Sequence, residues 1–180
     1  MPYGIHTATK VSRVLDCLKK EGKAFVGRYY AVRYTWKALT REEAEAISKA
    51  GLYIVSIWED GAADDPSYFS YSQGKADGYC AFNKDGYDRY TIDRRRLGDT
   101  PVPYRIGVYG SYDVLTWTKE QGIAEYFFQA RASAWSRGRN SFPWPGYRLR
   151  QLASNEKMCG ILVDPDDSQT SYGGWKHNLQ

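Results

Sequence analysis

The first 59 residues alternate between short apolar runs and amphipathic segments, and this alternation constrains the fold more than any other feature. Residues 3–7, 24–30 and 53–58 are rich in β-branched and aromatic side chains, which is typical of strands. Between them, residues 11–18 carry apolar side chains at helical spacing, and Thr40 begins a second helix with a capping box. Strands joined by helices run parallel, so the order β-α-β-α-β predicts a parallel sheet.

Strand-like runs recur in the rest of the chain, starting near residues 79, 104, 126, 147 and 159. Counting the weak run at 79–82, the sequence has eight. Eight parallel strands with short helices predict an α/β fold, a compact (β/α)8 TIM-like barrel whose fourth strand is shortened or missing. No linker divides the chain, so we expect a single barrel domain over residues 1–180.

Two groups of acids follow strands of this predicted barrel. Glu59 ends the strand at 53–58, and side-chain alternation turns it toward the interior. Asp164 and Asp166 follow the last predicted strand. In parallel barrels the carboxyl ends of strands carry the catalytic groups. The alternative is that Glu59 opens a solvated loop and that the two aspartates belong to a turn, where Asp and Pro are common.

Glycoside hydrolysis needs two carboxyl groups about 5 to 9.5 Å apart, one protonated and one ionised. Glu59, Asp164 and Asp166 are therefore the predicted catalytic residues. The chain also has 16 Tyr and 6 Trp, and aromatic rings of this kind line sugar-binding sites. The predicted substrate-binding residues at the strand ends are His6, Arg28, Tyr30, Asn83, Asp85, Tyr109 and Gln151.

Several classes of function receive no support from the sequence. A net charge of +4 is too small an excess for a nucleic-acid partner. No apolar segment reaches the roughly 18 residues of a membrane helix, and no signal peptide is recognised, so we expect a soluble protein whose compartment is unknown. His6 and His177 lie far apart, and Cys17, Cys80 and Cys159 lack metal-ligand spacing. We predict no metal, no cofactor and reduced thiols.

Longer motifs extend over most of the chain: residues 25–29, 36–44, 50–59, 104–112 and 163–166. Together they resemble a glycoside-hydrolase-like TIM-barrel domain of unknown function from Gram-positive bacteria, which is distantly similar to family 25 lysozymes. The resemblance implies a polysaccharide partner, the cell-wall glycan peptidoglycan, and a protein that is associated with the wall or released. It implies either a lysozyme-like hydrolase or a binding module on the same barrel.

Two departures from the family pattern bear on activity. His6 stands where the first strand of the family usually carries Asp. At the fourth strand, either Asn83 stands where the family carries an acid, with Asp85 remaining, or residues 73–83 form the third helix and the strand is missing. An amide cannot act as a general acid or nucleophile. The sequence therefore leaves open an enzyme, a non-catalytic module binding glycan or protein, and an assembly protein with a tyrosine-rich surface. A missing fourth strand would expose sheet edges that either a loop or a second chain would have to cover, and the second alternative would make the protein an oligomer.

Overall fold

A computed structural model describes residues 1–31, 33–59, 107–122, 124–133, 135–169 and 171–177. In these ranges the strands are β1 Tyr3–His6, β2 Lys23–Tyr30, β3 Tyr53–Trp58, β4 Gly107–Gly110, β5 Tyr126–Gln129, β6 Leu149–Gln151, β7 Glu156–Met158 and β8 Ile161–Ser168. The helices are α1 Leu15–Lys20, α2 Arg41–Lys49 and α3 Tyr112–Glu120, with 3₁₀ turns at Thr35–Lys37 and Trp135–Ser141. The predicted strand at 79–82, with Asn83 and Asp85, lies outside the described residues. No helix in the described ranges is long and apolar enough to cross a membrane.

The strands form one mixed sheet in the order β3-β2-β1-β8-β6-β5-β4, with β7 paired to β8. β1 to β3 are parallel to one another, as are β4 to β6, but β8 is antiparallel to both of its neighbours, β1 and β6. The prediction of eight parallel strands is wrong on this point. The connection from β6 to β8 contains only the short strand β7, so the chain reverses in a hairpin instead of crossing over through a helix.

The sheet is strongly curled. The rings of His6 on β1 and Phe128 on β5 lie 5.3 Å apart, although β8 and β6 separate the two strands. In a flat sheet three strand spacings would place them about 14 Å apart. The ring of Tyr109, one strand further on, is still only 6.4 Å from that of His6. The α/β class and a partly barrel-like sheet are thus confirmed, whereas a full (β/α)8 barrel is not.

Alternating side chains divide the core into two layers. The outer face of the sheet packs on α1 and α2 and includes Val26, Ile54 and Val163. The inner face is filled by Phe25, Val55, Phe128 and Leu149, with Ile57 against them. Val55 and Ile57 therefore lie on the interior side of β3, as the sequence predicts, and Glu59 follows them at the carboxyl end.

Two glycines make room for this inner face. A Cβ on Gly4 would lie 2.4 Å from the Phe25 ring, and one on Gly27 would lie 2.6 Å from the Cβ of His6. Real Cβ contacts are not that short. The absence of side chains at these two positions therefore allows the phenyl ring and the imidazole to fill the interior of the curled sheet.

A disulfide joins Cys17 on α1 to Cys159 in the turn between β7 and β8, with the Cα atoms 5.9 Å apart. The expectation of reduced thiols is wrong for this pair. The two cysteines are 142 residues apart, and their spacing gave no sign that α1 and the β7–β8 hairpin pack together. The bond fixes the hairpin that leads into β8 to the amino-terminal part of the domain.

Candidate functional site

His6 occupies the centre of the site, at the carboxyl end of β1. On the neighbouring strand β8, Asp164 lies directly opposite His6, and Asp166 lies opposite Gly4. The imidazole bridges both acids: Nε2 is 3.1 Å from Asp164 Oδ2, and Nδ1 is 2.9 Å from Asp166 Oδ2. Because β8 is antiparallel, its first half lies at the carboxyl edge of the parallel strands. Asp164 and Asp166 are therefore inward-facing strand residues, and the alternative of a turn is wrong.

The charges of these three groups are coupled. Burial alone lowers the pKa of His6, but hydrogen bonds and attraction to Asp164 and Asp166 outweigh it and raise the pKa to about 9. Burial raises the pKa of Asp166 to about 6, against the opposing effect of His6. Burial also acts to raise the pKa of Asp164, yet hydrogen bonds from His6 and the Asn155 amide hold it below its usual range. At neutral pH the cluster is an imidazolium between two carboxylates.

A hydrogen-bonded chain holds Asp164 from the other side. The Asn155 amide donates to Asp164 Oδ1 at 2.6 Å, and Gln151 Nε2 donates to Asp164 Oδ2 at 3.0 Å and to Ser154 Oγ at 2.9 Å. The hydroxyl of Tyr109 donates to Gln151 Oε1 at 2.8 Å. These contacts fix the Asp164 carboxylate while its side chain stays 25% exposed.

Glu59 belongs to the adjacent side of the same cleft. Its Oε1 accepts a hydrogen bond from Lys37 Nζ at 2.8 Å, and its side chain is half exposed. The Lys37 ammonium lies 4.9 Å from the centre of the Tyr29 ring, and that ring is 6.4 Å from the ring of His6. Burial, and then the charges of Glu59 and Asp164, raise the pKa of Tyr29. Both carboxylates therefore act on one phenol.

Arg28 and Tyr30 do not line the cleft, which corrects their predicted role in substrate binding. Arg28 is fully buried on the outer face, where Nε and Nη2 each donate to a carboxylate oxygen of Glu43 on α2 at 3.1 Å. Tyr30 is buried in the outer layer of the core. The inward residue is Tyr29, which the sequence analysis missed. The alternation Phe25, Gly27, Tyr29 along β2 was the signal that could have found it.

The structure thus groups five of the predicted site residues closely and places Glu59 beside them. The five are His6, Tyr109, Gln151, Asp164 and Asp166. Asn83 and Asp85 lie outside the described residues, so their predicted roles remain predictions. Among the residues that the structure describes, no cluster of three His, Cys, Asp or Glu side chains could hold a metal ion. Both nitrogens of His6 are already occupied by carboxylates.

A separate pocket of about 740 Å³ lies at the opposite end of the strands. Its lining includes Lys23, Tyr53 and Tyr126, the first residues of β2, β3 and β5, together with Tyr172. It contains none of the acids described above. Among the described residues, the cluster of His6, Asp164 and Asp166 therefore lies at the carboxyl end of the sheet, away from this pocket.

Comparison with known proteins agrees with this architecture. Residues 16–87 match the family described as Rv2525c-like, glycoside hydrolase-like domain. The resemblance to the glycoside hydrolase-like family is confirmed. The uncharacterized protein YbfG of Bacillus subtilis (strain 168) is 30% identical over 166 residues, which cover 71% of this chain and 22% of YbfG. The chain thus spans about a fifth of the length of that relative.

Solved structures share the fold of this chain. The Tat-secreted protein Rv2525c of Mycobacterium tuberculosis, crystallised with L-tartrate, superposes with a TM-score of 0.71 at 20% identity, covering 97% of this chain and 98% of that one. A muramidase from Trichobolus zukalii superposes with a TM-score of 0.51 at 13% identity, covering 95% of each chain. At these identities the likeness concerns the fold alone.

Proposed function

We propose that this domain binds bacterial cell-wall glycan in the cleft at the carboxyl ends of its parallel strands, without cleaving it. The observation that carries the proposal is the position of His6 between Asp164 and Asp166. The glycoside hydrolase-like fold, shared with a muramidase, supports a glycan ligand. The export of Rv2525c by the Tat route agrees with a ligand outside the cell.

The bridged aspartates favour binding over hydrolysis. A glycosidase needs one protonated carboxyl group at the glycosidic oxygen and a second carboxylate near the sugar ring. Asp166 is 1% exposed, and both of its oxygens lie within 3.1 Å of His6 Nδ1, so it cannot reach a substrate. Asp164 is accessible, but its lowered pKa makes it a poor proton donor.

Hydrolysis is the second candidate, and one observation favours it. Asp164 and Glu59 are both partly exposed carboxylates, and both act electrostatically on Tyr29 and Tyr109. In this reaction Glu59 would donate the proton to the leaving oxygen. Asp164, held ionised, would stabilise the oxocarbenium-like transition state or activate water.

Sedimentation with purified peptidoglycan, combined with an assay for new reducing ends, tests both candidates. The binding proposal predicts that the protein pellets with the polymer, releases no reducing ends, and pellets less when Asp164 is replaced by Asn. Asp113→Asn is the matched control, because Asp113 is an exposed carboxylate on α3. Release of reducing ends that disappears in Glu59→Gln would refute the non-catalytic proposal and establish a hydrolase. A protein that stays in the supernatant would refute both.

A further inference from the structure

Trp36 is an exposed aromatic side chain next to Lys37, the residue that binds Glu59. It lies in the 3₁₀ turn Thr35–Lys37, which follows the carboxyl end of β2, and it is 68% exposed. The turn is tied back to β2, because the Leu39 amide donates to the Tyr29 carbonyl at 2.8 Å. An exposed indole offers a flat apolar face on which a ligand can stack.

The side chain of Lys37 also anchors the turn. Lys37, the residue after Trp36, is buried, and its ammonium lies 4.9 Å from the Tyr29 ring and 5.0 Å from the Tyr34 ring. The same ammonium donates to Glu59 Oε1 at 2.8 Å. The ion pair and the two aromatic contacts of the buried Lys37 ammonium fix the backbone of the turn that contains Trp36. The indole is therefore exposed to solvent on a turn whose backbone is fixed.

We propose that Trp36 and Glu59 form a subsite for a neutral pyranose unit of the glycan, with the indole stacking on the apolar face of the sugar. Glu59 would accept a hydroxyl hydrogen bond through Oε2, which accepts no hydrogen bond within the described residues, while Lys37 holds Oε1. The proposal follows from sequence adjacency: Lys37, the residue after Trp36, holds Glu59. A flat apolar ring and a fixed acceptor on one ligand suit a sugar, which has apolar C–H faces and polar edges. This inference rests on the proposed function and adds the class of ligand and the residues that select it.

Binding of purified peptidoglycan by wild type, Trp36→Ala, Trp36→Phe and Trp117→Ala tests the subsite. Trp117 is the matched control, because it is 57% exposed on α3, outside the cleft. We expect Trp36→Ala to weaken binding about tenfold, which corresponds to about 1.4 kcal/mol. Trp36→Phe should retain much of the affinity, since it keeps an aromatic face, and Trp117→Ala should bind as wild type does.

Circular dichroism of each variant separates loss of the subsite from loss of folding, because an exposed side chain contributes little to the core. If wild type binds and Trp36→Ala binds equally well, the subsite is refuted and the proposed function stands. If Trp117→Ala weakens binding as much as Trp36→Ala, the effect is not specific to the turn at Thr35–Lys37, and the subsite is again refuted. If wild type itself does not bind, the proposed function fails and the subsite fails with it.

Discussion

Raising the pH from 7 to 10 should deprotonate His6 and lower the free energy of unfolding. The pKa of this imidazole is about 9 in the folded protein, against an ordinary value of 6.5. At about 1.4 kcal/mol per pH unit, that difference stabilises the fold by about 3 kcal/mol. Because the folded pKa is the higher one, the stabilisation is complete below pH 6.5 and is lost as the pH rises through 9. Asp166, with a pKa of about 6, is largely ionised in both states above pH 7 and adds little slope in this window.

Urea unfolding from pH 7 to 10 measures this effect when wild type is compared with His6→Gln. Glutamine can still donate a hydrogen bond to a carboxylate but cannot carry the positive charge. The difference in unfolding free energy between the two proteins should shrink by about 3 kcal/mol over the window, whereas tyrosine and lysine ionisation affects both alike. The chain has two histidines, so an NMR titration resolves the His6 imidazole directly.

Two results would refute the reasoning. One is an imidazole midpoint for His6 at or below 6.5, which would mean that burial outweighs the two carboxylates. The other is a pair of parallel stability curves for wild type and His6→Gln, which would mean that no proton is gained at this site on folding. Either result would mean that His6 is not a stabilising imidazolium in the folded protein at neutral pH.

Three further substitutions test the fold around the site. Cys17→Ser removes a cross-link spanning 142 residues and should lower the free energy of unfolding, measured in urea, by about 2–5 kcal/mol. Glu43→Gln leaves the fully buried Arg28 without its counter-charge and should cost about 3–5 kcal/mol in the same assay. Gly27→Ala places a Cβ 2.6 Å from that of His6, so it should cost about 1–3 kcal/mol and shift the NMR midpoint of the imidazole.

Matched variants identify the cause of each loss. Cys80→Ser should leave the disulfide intact by mass spectrometry, and loss of the bond in that variant would contradict the observed pairing. Arg41→Gln removes the exposed ion pair with Glu45 on the same helix and should cost less than about 1 kcal/mol. A cost equal to that of Glu43→Gln would show that burial is not what makes the Arg28 pair important. Wild-type stability in Gly27→Ala would contradict the close packing of β1 against β2.

Much of the amino-terminal half could be predicted from the sequence because its signals are local. Runs of β-branched and aromatic residues predicted β2 and β3, and the capping box predicted α2. The alternation of side chains along β3 predicted which of them face the interior. The same alternation, applied to β2, would have assigned Arg28 and Tyr30 to the outer face and Tyr29 to the cleft. The roles of Arg28 and Tyr30 were predicted wrongly because only their position at the end of the strand was considered, and not the direction of each side chain.

The remaining features depend on contacts that are distant in sequence. The direction of β8 follows from the short hairpin through β7, and it decides whether Asp164 and Asp166 are strand residues or a turn. Lys37 reaches Glu59 because its loop folds back onto the end of β3. The residues next to Lys37 in sequence do not predict this contact. The charge state of His6 likewise depends on residues about 160 positions away.

The placement of β8 has a consequence for how the domain folds. In the described part of the chain, the two parallel groups of strands are joined in the sheet only through β8, the last strand in sequence. Pairing it with β1 closes a loop of most of the chain, and such non-local contacts make folding slow. We therefore expect the site to be assembled in the final step, when the carboxyl-terminal strand is captured between two preformed halves. A chain that stalls before that step would lack the cleft even with both halves folded.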